Sequence, residues 1–188
     1  MELYLIRHTT PEVPAGICYG RTEIGLPAGF EAEAGAVRGK LAHLEHAACY
    51  SSPLSRCVRL ASLLGWGEPQ LDPRLQELDF GAWEMQPWDA IPRSDLDRWG
   101  QHYVDVAPPG GESFRDLQRR ASEFLGELAA DRQTSTVVAV THAGIIRGLL
   151  AEALDLPLRE AFHFHLDYGG VTLLRLDGAI PAVGYVNR

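Results

Sequence analysis

Two stretches of the chain are apolar at consecutive positions and run directly into a histidine. The first is Leu3-Tyr4-Leu5-Ile6, followed by Arg7-His8-Thr9-Thr10; the second is Thr136 to Val140, followed by Thr141-His142-Ala143-Gly144. Consecutive side chains of an extended segment point to opposite faces, so each stretch predicts a strand buried on both faces, as in a parallel sheet covered by helices. A helix from Ile145 to Leu154 is predicted directly after the second strand. Both histidines then stand at the carboxyl end of a buried strand, where open α/β sheets bind their ligands. His142 also stands at a helix N-terminus, which favours anions.

Between these strands the pattern changes repeatedly. Residues 9–29 are broken by Pro11, Pro14, Gly16, Gly20, Gly25, Pro27 and Gly29, which predicts a long excursion over the strand ends, a place where binding residues concentrate. Residues 30–46 carry Phe30, Ala34, Val37, Leu41 and Leu44 at helical intervals, with His43 and His46 one turn apart on the same helix; without a third ligand they read as its solvated end. A short strand is expected from Ala47 to Tyr50. Ser52 and Pro53 then read as cap and first position of a helix whose first turn presents Arg56, a place where the helix dipole disfavours a cation unless an anion joins it.

From Pro73 to Trp83, Glu77 and Asp79 alternate with Leu78 and Phe80, which puts both carboxylates on one side of an extended segment. Such a pair could serve as a general acid and its partner, or as a solvated strand face. Residues 84–109, with Trp88 and Trp99, read as an irregular helical insertion over the site. Ser113 caps a helix whose stripe is Phe114, Leu117, Ala121, Phe124, Leu125 and Leu128. The tail, Phe162 to Leu166 and Val171 to Leu176, reads as two paired strands at the sheet edge, with His163 and His165 on a polar face.

These elements define an α/β fold of three layers, α/β/α, in which a mostly parallel central sheet is covered by helices on both faces and the 84–109 insertion lies over the site as a lid. At 188 residues one domain spanning 1–188 is expected. No basic region precedes an apolar run and no stretch approaches the ~18 apolar residues of a membrane span, so no membrane partner and a cytoplasmic location are expected. Cys18, Cys49 and Cys57 form no CxxC pair, which suggests neither disulfides nor a zinc site. The formal charge of −8 argues against nucleic acid as a partner. It leaves room for a small phosphorylated substrate, because carboxylates beyond a Debye length of ~8 Å are screened from a few converging cations.

Arg7-His8, the Ser-Pro-Leu-x-Arg segment ending at Arg56, the run from Glu77 to Glu84, Gly110-Gly111-Glu112-Ser113 and Thr141-His142-Ala143-Gly144 occur in the order seen in the histidine phosphatase (phosphoglycerate-mutase-like) superfamily, which the chain resembles over nearly its whole length. Thr9-Thr10-Pro11, Cys18-Tyr19-Gly20 and the Phe-Gly-Ala-Trp-Glu run are most similar to its α-ribazole phosphatase branch. One departure stands out: the family's Asn shortly after the histidine is missing from the stretch holding Thr9, Thr10, Pro11 and Pro14.

The resemblance implies a phosphomonoesterase without metal or other cofactor. His8 would be the nucleophile, Glu77 the proton donor to the leaving alkoxide, and His142 a cation stabilising the transferring group. Arg7, Arg56 and the amide near Gly144 would hold the phosphoryl oxygens, and Tyr19, Gly20, Arg21 and Trp88 would touch the leaving group. α-Ribazole 5′-phosphate is the substrate the branch implies; a broad-specificity or sugar-phosphate phosphatase is the alternative, and a phosphoglycerate mutase fits less well because that activity is associated with longer chains.

Overall fold

The computed structural model describes residues 1–131, 133–178 and 181–188. Its strands are β1 (Glu2–Arg7), β2 (Ala48–Ser51), β3 (Gln70–Leu71), β4 (Thr136–Thr141), β5 (Val171–Arg175) and β6 (Ala182–Tyr185). The α-helices are α1 (Phe30–Lys40), α2 (Ser55–Leu64), α3 (Arg93–His102), α4 (Phe114–Ala130) and α5 (Ala143–Ala153). The strands form one sheet in the order β3-β2-β4-β1-β5-β6, with parallel pairing from β3 across to β1 and antiparallel pairing of β5 with both neighbours.

Two cores explain why β1 and β4 are apolar without interruption. Leu3 and Leu5, with Val137 and Ala139, enter one core with α4 and α5. Tyr4 and Ile6, with Val138 and Val140, enter the other with α1 and α2. Period-two geometry thus sends alternate residues of each strand into different layers, and the three-layer α/β/α arrangement follows. A third, small core of Cys18, Trp83 and Ile91 gathers Phe80, Trp88 and Trp99 around it, so the segment from Trp83 to Trp99 packs against the long loop at Cys18. Among the described residues no helix is long and apolar enough to cross a membrane.

Several local expectations change. Helix α1 stops at Lys40 rather than 46, and His43 lies in the turn beyond it, its Nε2 3.4 Å from the Tyr4 hydroxyl. Ser52 does not cap α2; the helix starts at Ser55, whose N–H and hydroxyl donate to the carboxylate of Glu23 from the long loop, which replaces the local cap. Residues 76–80 pair with no strand. Asp79 instead accepts from the Gly81 N–H at 2.8 Å and lies 3.5 Å from Arg21.

The tail is also rearranged. Leu158–His163 is a 3-10 helix, and β5 pairs with β1 and β6. His163 and His165 are exposed beside Glu160 and Asp167 rather than on a strand. The Ser113 cap stands as expected, completed by Asp116 into a capping box, and the buried stripe of α4 is the one its spacing predicts.

Candidate active site

Register brings the two histidines together. Arg7 at the end of β1 is paired with Thr141 at the end of β4, and the ladder continues one step with the His8 N–H donating to the Thr141 carbonyl at 2.9 Å. His8 and His142 therefore emerge side by side, with ring centroids 5.0 Å apart. On the other side of β4, Ser51 pairs with Val140, and the Ser52 N–H donates to the Val140 carbonyl at 2.9 Å. This delivers the start of α2, and with it Arg56, to the same end of the sheet.

His8 is 2% exposed. Its Nδ1 lies 2.7 Å from the Thr9 carbonyl, which can only accept, so Nδ1 carries the hydrogen and Nε2 keeps its lone pair. Burial, reinforced by the Arg56 charge, pushes the imidazole down to about 3, against a smaller opposing pull from the Thr9 carbonyl. His142 is fully buried, with Nε2 2.9 Å from the Ser52 hydroxyl and Nδ1 3.5 Å from Arg56 Nη2. Burial first, then His8 and Arg56, hold its pKa well below the ordinary value. Low dielectric and the neighbouring guanidinium groups thus oppose a charge on this ring, which the sequence reading cast as a cation.

Arg56 is fully buried and reaches no carboxylate among the described residues. Its Nη atoms donate to the Thr22 and Gly20 carbonyls at 2.9 and 2.5 Å, while Nε has no partner. Arg7 repeats the pattern: Nη1 donates to the Leu166 carbonyl at 2.5 Å, the guanidinium lies 3.7 Å from the Tyr168 ring centroid, and Nε is buried without a partner. A buried N–H left unpaired costs about 1–3 kcal/mol, more for a charged group, so two orphaned guanidinium donors beside a histidine describe a site that an anion completes.

Glu77 follows the turn Pro73–Leu75, which the Thr141 hydroxyl pins to β4 by donating to the Leu75 carbonyl at 2.7 Å. Arg120 on α4 donates to the Arg74, Gln76 and Glu77 carbonyls and pairs with Glu112, fixing the segment that bears the carboxylate. Glu77 Oε2 accepts from the Gly144 N–H at 3.2 Å, so that amide, expected to meet phosphate, is engaged by the carboxylate here.

A cavity of about 210 Å³ opens beside these groups, lined by Arg7, His8, Glu77, Gly144 and Arg147 together with an apolar and aromatic wall that includes Tyr19, Phe80, Trp88, Phe114 and Phe162. Arg56 and His142 do not line it. Gly20 and Arg21, expected to touch substrate, do not line it. A Cβ on Gly20 would stand 1.8 Å from the Leu78 carbonyl oxygen, so this glycine serves close backbone packing, and Arg21 pairs with Glu112 at 3.0 Å. Tyr168, Arg147, Phe114 and Phe162 were not assigned to the site from sequence. Their signal is tertiary, apart from the position of Arg147 one turn after Gly144.

Two histidines and two arginines, neither arginine paired with a carboxylate among the described residues, thus meet at one end of an α/β sheet. The histidine phosphatase superfamily (branch 1) matches residues 3–188, and the chain belongs to it: it is a phosphatase of that superfamily, acting on small phosphorylated substrates. An adenosylcobalamin/alpha-ribazole phosphatase of Salmonella typhimurium is 28% identical over 176 residues, covering 90% of this chain and 87% of that protein. The crystal structure of an alpha-ribazole phosphatase from Shigella flexneri superposes with a TM-score of 0.91 at 23% identity, over 100% of this chain and 96% of that one, a likeness of fold. A mycobacterial glucosyl-3-phosphoglycerate phosphatase complexed with VO3 gives a TM-score of 0.86 at 26% identity, over 99% and 98% of the two chains.

Proposed function

We propose that the chain hydrolyses α-ribazole 5′-phosphate through a phosphohistidine on His8. The observation that carries this reading is the placement of His8: an imidazole with a bare Nε2, under the charges of two arginines with orphaned donors, lining an aromatic-walled cavity. Uncatalysed hydrolysis of phosphate monoesters calls for up to ~10²¹ of acceleration, whereas a general acid typically gives ~10²–10⁴, so covalent and electrostatic contributions carry most of the rate.

In the first half-reaction the Nε2 lone pair of His8 bonds to phosphorus as the P–O ester bond breaks, and Glu77 gives a proton to the leaving oxygen. In the second, water attacks phosphorus, the P–N bond breaks, and Glu77 takes the proton from water. Arg7 and Arg56 hold the phosphoryl oxygens throughout, and His142 meets the spreading negative charge, whose arrival favours a proton on its ring. No step requires Asp79.

The substrate assignment is supported by the wall. Tyr19, Phe80, Trp88, Phe114 and Phe162 suit a flat aromatic base on the leaving alcohol, and the Salmonella relative carries that activity in its name. Acid quench of the enzyme with labelled substrate is expected to trap an acid-labile, base-stable phosphoenzyme that His8→Ala lacks. A panel of monoesters is expected to give the highest kcat/KM for α-ribazole 5′-phosphate. An acid-stable label would defeat the phosphohistidine, and a flat panel would favour a broad or sugar-phosphate phosphatase.

A further inference from the structure

Arg147 is the one cavity-lining cation that the chemistry above leaves unused. It lies on α5 three residues beyond Gly144, so its Cα stands about 4.5 Å farther along the helix from the catalytic end. Its Nε donates to the Phe164 carbonyl at 3.2 Å, and its guanidinium carbon lies 4.9 Å from the Phe162 ring centroid. No carboxylate lies within salt-bridge distance of it among the described residues, and neither terminal nitrogen has a hydrogen-bond partner there, although the group lines the cavity beside Glu77. Burial lowers the pKa of this guanidinium, an effect that Glu77 partly offsets. A half-buried cation held on its stem side alone, by a carbonyl and an aromatic face, presents a two-pronged donor to whatever enters.

We propose that Arg147 selects the leaving alcohol by donating its two terminal nitrogens to a pair of oxygen acceptors that the alcohol carries beyond the ester oxygen, either a vicinal diol or a carboxylate. The inference rests on the reading that the leaving alcohol occupies the aromatic cavity, and it is independent of the α-ribazole assignment. Glu77 marks the ester oxygen in that reading and engages the Gly144 amide; Arg147, about 4.5 Å farther along α5 than Gly144, is therefore assigned to the alcohol rather than to the phosphoryl group.

The test compares kcat/KM of wild type and Arg147→Met on phenyl phosphate, ribose 5-phosphate and 3-phosphoglycerate, which carry neither acceptor, a diol and a carboxylate respectively. The variant is expected to lose roughly tenfold or more on an oxygen-bearing substrate while phenyl phosphate stays within about threefold, since a hydrogen bond to a charged group is at stake. The substrate that falls further identifies the acceptor. Equal losses on all three, or no loss on any, would overturn the proposal. Arg147→Gln carries the same comparison should the methionine variant not fold. The α-ribazole assignment fails separately, when wild-type enzyme shows no preference for α-ribazole 5′-phosphate over ribose 5-phosphate.

Discussion

At the scale of single residues, Glu77 separates chemistry from binding. Its carboxylate faces the cavity while its backbone carbonyl is gripped by Arg120, so replacing the side chain leaves the segment anchored. Glu77→Gln is expected to lower kcat on alkyl phosphates by roughly 10²–10⁴-fold and to cost much less on p-nitrophenyl phosphate, whose leaving group hardly needs a proton. Steady-state kinetics on both substrates checks this, and equal losses would make Glu77 structural. The sequence exposed Glu77 only as one of an alternating pair. What divides it from Asp79 is largely tertiary: besides the local Gly81 N–H, Asp79 is occupied by Arg21, a contact that no local pattern announces.

At the scale of elements, the start of α5 is built around the absence of a side chain. A Cβ on Gly144 would stand 2.2 Å from Glu77 Oε1 and 3.0 Å from Leu117 Cδ1, so the glycine makes room for the carboxylate. Gly144→Ala is expected to push Glu77 aside and to lower kcat roughly 10- to 100-fold, as displacements near 1 Å in a catalytic group do. Melting temperature should move little, because alanine's helix propensity, favourable by about 1 kcal/mol, offsets part of the crowding. Full activity in this variant, measured alongside thermal unfolding, would show that Glu77 tolerates the shift. Elements stabilised by their own sequence were legible: β1 and β4 through two-sided burial, α4 through its capping box and stripe. Elements that exist only through their neighbours were not. Both residues of β3 are exposed, and β6 alternates weakly and is held by pairing with β5.

At the scale of the whole molecule, burying two neutral histidines couples the site to stability. The unfolded chain takes up protons on His8 and His142 below their ordinary pKa of about 6.5, whereas the folded chain resists until about 3 at His8. Stability is therefore present in full above about pH 6.5 and is lost as pH falls, by up to about 1.4 kcal/mol per unit for each ring. Carboxylates held low, such as Asp72 and Glu84, add a loss of the same sign only in more acidic solution. Urea midpoints are expected to fall between pH 6.5 and 5, with a shallower slope in His8→Ala; an unchanged slope would mean that the ring is protonated in the fold.

The pairing of Arg7 with Thr141 has a further consequence, for how such an enzyme can change over time. His8 and His142 are set by the hydrogen-bond ladder of the sheet's centre, whereas Trp88 belongs to a segment packed on a small core of Cys18, Trp83 and Ile91. Substitutions in that segment remodel the wall and leave the strand register untouched. Part of what chooses the molecule is thus inherited apart from what acts on the bond, so a change of diet can begin without new machinery.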